Sequence, residues 1–450
     1  MAVDQIRRRL TELRQESFDT PQNRAVDAIL DEWDSSGDDF VFPIVDGPPG
    51  TGKTTLGAVA AAEYLLQHRG GRVAYLCYTH FAADEAMKKL RGLGFSSQQM
   101  IRITANPDET DLQRGIVGWA GDIESLDRAT RRRVENTPLL LCTLHGSRKA
   151  FRGHEDRARV RLVVDEFSQV SSSLWFATLA RARGSKVYPT GYALLGDPYQ
   201  LPVITSQPYL RPNIGLYIRG RKPYQPHELV RQHRMHKDIC AAVNSLRDAL
   251  YAPFHLETSE KVRDRDLEMF GYRWRKSNVS EKLREVLDPS HPFVIIDTHR
   301  AGTHSRTFPS QSLENEGEAK LAADIATSLH DSFIKANGEH LCPTILSPYT
   351  AQVGRIRQFL PRELREHCTT IFSSQGREYP CVIISFVWND PRGFIGFLQE
   401  PQLRAQVYVG CSRAQAKLVV LYSRDCFVSK GHQDFDLLDR TDSAYRTDYS

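Results

Sequence analysis

Apolar residues fall along this chain in short unbroken runs set between longer stretches of helical spacing. The runs are IVD (44–46), VAYLC (73–77), LLLCT (139–143), RLVVD (161–165), YALLG (192–196), FVIID (293–297), TILS (344–347), CVIISFV (381–387) and KLVVLYS (417–423). They are rich in Val, Ile and Leu and lack a polar alternation, which predicts strands buried on both faces in parallel sheets. Stretches such as LGAVAAAEYLLQ (56–67) and AQVGRIRQFL (351–360) have the length and period of the helices that would cover those sheets. Pro43 cannot donate to a ladder, so the first strand is placed after it. The expectation is an α/β fold with two sheets and a boundary near 215–230, after the turn-rich PYLRPNIG, giving units of 1–220 and 221–430. Charged, helix-prone residues at 105–136 and 250–285 read as a helical insert and an excursion from the sheet cores. The polar segment 431–450 reads as a frayed or loosely docked tail.

Length and charge narrow this picture. A chain of 450 residues exceeds what one core can organise. Lys+Arg 59 against Asp+Glu 55 leaves a formal charge of +4, so a polyanion would have to be held by a local groove. The eight cysteines (77, 142, 240, 342, 368, 381, 411 and 426) form no CxxC pair and no zinc spacing, which predicts reduced thiols and a cytoplasmic protein, or a nuclear one in a eukaryote. The opening MAVDQIRRRLTELRQESF lacks the apolar core of a signal peptide, and no run is long enough to span a bilayer.

Candidate chemistry begins with GPPGTGKTT (47–55), which follows a predicted strand and opens a predicted helix. That context fits the phosphate-binding loop G-x-x-x-x-G-K-[ST] of P-loop NTPases. Gly47, Pro48, Pro49, Gly50, Thr51, Gly52 and Thr55 would form the cradle around phosphate oxygens, with Lys53 on the β/γ-phosphates and the Thr54 hydroxyl on Mg²⁺. DEFSQ (165–169) supplies two carboxylates at a strand end: Asp165 to bind Mg²⁺ through water, Glu166 to take a proton from the attacking water. Gln200 in GDPYQLP (196–202) either senses the γ-phosphate or is an ordinary loop residue. QHRMH (232–236), with two histidines three apart, is open to three readings from its residues alone: a metal site, a nucleic-acid contact, or half of an active site.

The ordered series GPPGTGKTT, DEFSQ, GDPYQLP, QHRMH, QGRE (375–378) and VYVGCSRA (407–414) resembles superfamily 1 helicases, in particular the up-frameshift-type group. The similarity runs from about Gln22 to about Ser423. It implies two tandem RecA-like domains, ATP in the cleft between them, single-stranded DNA or RNA across both, and movement 5′ to 3′. By the same resemblance Gln22 reads the adenine edge, Arg234 and Arg413 reach the γ-phosphate, and Glu378 lies near the ribose. His233 stands where the group has a tyrosine that stacks on adenine, Asp19 where it has Asn, and Val203 where a second Pro is usual. Zinc at His233 and His236 is disfavoured because no further ligand is recognisable nearby.

Alignment with the group's strand-binding motifs implies contacts from Thr79 and His80 in CYTHFAAD, Thr143 in CTLHGS, and Pro348, Tyr349 and Gln352 in SPYTAQ. Arg131, Arg132 and Arg133 either meet phosphates or form a solvated face. The resulting expectation is a monomeric ATP- and Mg²⁺-dependent helicase or translocase on single strands. Two rivals stand beside it: a clamp or remodeller that hydrolyses ATP without unwinding, and a ring-forming AAA+ ATPase acting on proteins.

Overall fold

The computed structural model describes residues 2–35, 42–104, 116–118, 128–147, 151, 158–203, 205, 207–219, 226–275, 283–300, 306–307, 312–400 and 403–448. It divides into two compact units, Met1–Pro198 with Pro202–Val230, and Tyr199–Leu201 with Arg231–Ser450.

The first unit is built on eight parallel strands: β1 (Ile44–Asp46), β2 (Val73–Cys77), β3 (Met100–Thr104), β4 (Ile116–Gly118), β5 (Leu139–Thr143), β6 (Ala158–Asp165), β7 (Val187–Gly196) and β8 (His227–Glu228). Their spatial order is β4-β3-β5-β2-β6-β7-β1-β8. Alternate residues feed two cores, as the two-residue period of a strand requires. Val45, Tyr75, Leu141, Val163 and Leu195 pack on one face with the helices α1 (Ala2–Glu12), α2 (Thr20–Asp34), α3 (Lys53–Gln67) and α4 (His80–Leu93). Ile44, Leu76, Leu140, Val164 and Leu194 pack on the other with Trp175 and Ile214.

The second unit carries a six-stranded parallel sheet in the order Cys368–Thr370, Thr344–Ser347, Tyr379–Ser385, Ala414–Tyr422, Phe293–Asp297, Tyr445–Asp448. Val294, Ile296, Ile345, Ile383, Val419 and Leu421 enter one core, and Phe293, Ile295, Leu346, Val382, Ile384, Leu418 and Val420 the other. Leu201 is fully buried in this second core, which is why Tyr199–Leu201 groups with the second unit although GDPYQLP was expected on the first.

Several expectations change here. The polar tail is structural: Gln433–Asp439 is a helix and Tyr445–Asp448 an edge strand paired in parallel with Phe293–Asp297. Two of its acids are buried in ion pairs, Asp434 with Arg404 at 2.6 Å and Asp439 with Arg424 at 2.6 Å, and Tyr422 donates to Asp439. Within the predicted insert, residues 116–118 extend the sheet edge and Arg128–Asn136 is a helix; 105–115 and 119–127 lie outside the described residues. In the predicted excursion, Glu257–Thr258 pairs with Arg231–Gln232 and Tyr272–Trp274 with Phe333–Lys335. Residues 276–282 lie outside the described set.

Candidate nucleotide and single-strand sites

In the first unit the candidate residues gather at the carboxyl ends of parallel strands, where open α/β sheets place their ligands; in the second, Glu378 and Arg413 immediately precede the strands Tyr379–Ser385 and Ala414–Tyr422, and Pro348 follows Thr344–Ser347. In the first unit β1 ends at Asp46 and the chain turns at once: the Gly47 N–H donates to the Gly196 carbonyl at 2.8 Å, tying the loop to the end of β7. A Cβ at Gly47 would overlap Lys53 and Thr51. Gly50 and Gly52 sit at φ +82° and +84°, a conformation that favours glycine. Helix α3 then starts at Lys53 with no side-chain cap on Gly52, so its first N–H groups face the loop. The Thr51 hydroxyl donates to the Pro48 carbonyl at 2.8 Å, and Lys53 Nζ lies 3.4 Å from the same oxygen.

Asp165 ends β6 with no solvent exposure. The Thr54 hydroxyl donates to its Oδ2 at 2.8 Å, Tyr75 donates to the same oxygen at 3.0 Å, and the Glu166 N–H reaches Oδ1 at 2.9 Å. Burial pushes the Asp165 carboxyl up, and the Thr54 hydrogen bond, the Lys53 charge and the Tyr75 hydroxyl oppose it. A threonine hydroxyl against a buried carboxylate is an all-oxygen donor pair that fits a hard divalent cation. Glu166 adopts φ 59°, ψ 49°, a left-handed conformation that costs about 1–2 kcal/mol for a residue with a side chain. That turn lifts it off the strand line, one residue beyond Asp165. Tyr75 escaped the sequence reading because it lies inside VAYLC; its hydroxyl in an otherwise apolar run was the available signal.

Gln22 sits at the third position of α2, where its side chain and Asp19 cap the helix reciprocally, both at 2.9 Å. Asp19 is thus a good cap, whatever residue relatives carry. The Gln22 amide also donates to the Thr51 carbonyl at 2.9 Å, which fixes it beside the phosphate loop with 3% exposure.

In the second unit the QHRMH turn is organised by Gln232, fully buried. Its Oε1 accepts from the N–H groups of Arg234 and Met235, both at 2.7 Å, and its Nε2 donates to the Met235 carbonyl and the Thr258 hydroxyl. His236 is the N-cap of the helix Lys237–Ala249, accepting from the Asp238 N–H at 3.0 Å, which occupies Nδ1 and leaves it unfit as half of a zinc pair. Arg234 and Glu378, expected at phosphate and ribose, are paired with each other here at 2.6 Å, and Arg234 also donates to the Ser412 carbonyl. A guanidinium with 14% side-chain exposure needs such acceptors. Arg413 is 2% exposed and donates to the carbonyls of Val409 and Arg377. Gln200, 7% exposed, belongs to the segment grouped with this unit.

The strand-binding candidates separate into two kinds. Thr79 caps α4 through its hydroxyl, and His80 beside it is exposed. The Thr143 oxygen accepts from the Gly146 N–H at 3.1 Å, with the residue 5% exposed. Pro348 is half-buried. Tyr349 and Gln352 depart from expectation. Tyr349 is 4% exposed and accepts from Trp388 Nε1 at 2.7 Å, and burial raises its phenol to about 12. Gln352 has no exposure and spends its amide on Asn315 and Ser385. Both hold the interior of the unit rather than its surface. Arg132 and Arg133 are exposed, with Arg133 donating to the Ser97 carbonyl; the Arg131 side chain lies outside the described residues.

Two family models, each described as an AAA domain, match residues 18–255 and 216–425. The chain is 23% identical over 398 residues to the DNA replication ATP-dependent helicase/nuclease dna2 of Schizosaccharomyces pombe, an alignment covering 85% of this chain and 26% of that protein. It is 22% identical over 426 residues to the Regulator of nonsense transcripts 1 homolog of Drosophila melanogaster, covering 84% and 32%. The chain thus spans between a quarter and a third of the length of these relatives. Among solved structures, the DUF1998 helicase MrfA bound to DNA superposes with a TM-score of 0.46 at 11% identity, over 97% of this chain and 50% of that one.

Proposed function

The chain belongs to the AAA-domain family and to the superfamily 1 helicases of the up-frameshift type, and from that premise we propose that it is a nucleic-acid-stimulated ATPase that moves 5′ to 3′ along single-stranded DNA or RNA and unwinds duplexes. The observation that carries the reading is the Thr54 hydroxyl on the buried Asp165 carboxylate at the open N-terminus of α3, with Glu166 next along the chain on a left-handed turn. The loop from Gly47 to Thr55 binds the nucleotide phosphates through main-chain N–H groups, with Lys53 swinging from the Pro48 carbonyl to the β/γ-phosphates. Thr54 and Asp165 would hold Mg²⁺, which supplies charge neutralisation at the phosphates when bound. Glu166, held off the strand by its left-handed backbone, accepts the proton of the attacking water.

By the resemblance, Arg234 and Arg413 stabilise charge on the transferring phosphoryl group, Arg234 by exchanging Glu378 for phosphate. His233, in the turn built by Gln232, lies against the adenine. The protein acts as a monomer, since both arginines belong to this same chain. Its compartment is reducing, cytoplasmic or nuclear; all eight cysteines are free thiols.

The test is the ATPase rate with poly(dT), with poly(U) and with no polymer, followed by separation of 5′-tailed and 3′-tailed duplexes. Stimulation by either polymer with unwinding of the 5′-tailed substrate is expected. Stimulation without strand separation would convert the reading to a clamp or remodeller, and activity confined to a ring-sized oligomer would overturn it.

A further inference from the structure

The loop after β2 hands its two polar residues different tasks. The Thr79 hydroxyl is committed to the first turn of α4, accepting from the Ala82 N–H at 3.2 Å. His80 is exposed, and its Nδ1 lies 3.0 Å from Nη2 of Arg102, which also reaches the His80 carbonyl at 3.3 Å. Arg102 projects from the middle of β3 with 1% of its side chain exposed. Its other donors are fixed as well, Nε on Asp84 at 2.8 Å and Nη1 on the Ile103 carbonyl.

A guanidinium has five donors and no acceptor. The imidazole nitrogen that meets it must therefore carry the lone pair, and the ring hydrogen must sit on Nε2. We infer that Arg102 is a positioning residue that locks His80 as the neutral Nε2–H tautomer, so that His80 serves the bound strand as an uncharged hydrogen-bond donor to a phosphate or sugar oxygen. This rests on the reading that the loop after β2 lies on the single-strand path.

The groups facing the ring agree. Burial and the Arg102 charge hold the His80 pKa below its ordinary value, and Asp84 is the opposing influence. Protonation at Nδ1 would set N–H against N–H and cation against cation. Thr104 places a hydroxyl 3.5 Å from the same nitrogen, and a hydroxyl can also donate to it. With its pKa held below the ordinary value near 6.5, His80 is neutral at pH 7 and above. A neutral donor releases no counterion when it meets phosphate, which separates it from a lysine or arginine contact.

The full chain labelled with ¹⁵N-histidine, with His80 identified by the signals lost in His80→Phe, is read by long-range ¹H–¹⁵N correlation. The wild type should display the Nε2–H pattern at pH 7 and above, and Arg102→Met with Asp84→Asn should turn it into a tautomer mixture that titrates closer to 6.5. Affinity for a dT oligonucleotide should fall about 2- to 10-fold in His80→Phe, the worth of one hydrogen bond, with an unchanged slope against log salt. An Nδ1–H or charged His80 in the wild type at pH 7 overturns the lock, with no variant needed. The predicted tautomer with undiminished affinity in His80→Phe instead removes this loop from the strand path, and with it the purpose assigned to Arg102.

Discussion

Glu318 gives the electrostatics of the second unit a quantitative test. It lies near the start of the helix Glu316–Ser332 with no solvent exposure. Its Oε1 accepts from the Ser385 hydroxyl at 2.7 Å and the Val387 N–H at 2.8 Å, and its Oε2 from the Thr298 hydroxyl at 3.1 Å. The Val387 bond holds a β-branched residue at φ 77°, in a tight turn closed by Trp388 N–H on the Phe386 carbonyl at 2.9 Å. Burial drives the carboxyl from its ordinary 4.5 to about 7, and the donors only partly oppose it. At 1.36 kcal/mol per pH unit, that displacement corresponds to about 3 kcal/mol. The sign follows from proton binding: between about pH 4.5 and 7 the folded chain holds this proton and the unfolded chain does not. Stability from this group is thus fully present below 4.5 and is lost as pH rises through 7.

Glu318→Gln keeps the shape and removes the titration. Its carbonyl oxygen can accept from Ser385 and Val387, and its amide can donate to Thr298, whose hydroxyl accepts as readily as it donates. Urea unfolding of both proteins at pH 5, 6, 7 and 8, fitted with a transition for each unit, gives a difference in which titrations common to both chains cancel. The variant should gain about 2–3 kcal/mol on the wild type between pH 5 and 8, nearly all of it by pH 7.5. A difference that stays constant with pH would refute the dominance of burial. One that moves against the variant would mean that the charged hydrogen bonds outweigh the loss of water.

Lys53→Ala should weaken ATP binding, whereas Glu166→Gln should bind ATP normally and lose turnover, because Glu166 acts only on the water; equilibrium binding beside a phosphate-release assay checks both. Arg413→Ala should leave nucleotide affinity within a few-fold while stimulated hydrolysis falls by roughly 10³, a parental rate being the contrary result. Arg413→Lys controls for the loss of its bonds to Val409 and Arg377. Single-strand affinity measured from about 50 to 300 mM KCl should fall with a modest slope, and salt-independent binding would exclude a phosphate-tracking path. His233→Ala should raise the KM for ATP several-fold with a smaller effect on kcat and no response to added zinc; reduced strand affinity with KM unchanged would move His233 to the nucleic-acid path.

The two parallel sheets were legible because their strands are continuous apolar runs: VAYLC, LLLCT, FVIID and TILS became strands with the bounds the sequence suggested. The tail was misread for the converse reason. Tyr445–Asp448 joins the sheet through main-chain bonds on an edge, where side-chain polarity carries no signal, and Asp434 and Asp439 are polar residues buried by partners far away in sequence. MIRIT (100–104) was passed over because Arg102 interrupts its apolar pattern, yet that arginine is buried against Asp84 and His80. The phosphate loop was readable because its chemistry needs particular residue types in one short stretch. Tyr349 and Gln352 were not, since a motif states which residues occur and not whether they point to a ligand or inward.

The return of Tyr199–Leu201 into the second unit bears on the order in which a ribosome delivers the parts. The first sheet takes its last strand from His227–Glu228, so its edge stays open until some thirty residues after Leu201 has emerged. Leu201 meanwhile belongs to a core whose first sheet strand, Phe293–Asp297, has yet to be made. During synthesis, which proceeds at about 5–20 residues per second, an apolar side chain therefore waits several seconds for the core that will bury it. A fragment beginning at Arg231 would never receive it, and the gap left by a buried leucine costs about 2–5 kcal/mol. Separating the units for study therefore means carrying the Tyr199–Leu201 segment with the second one.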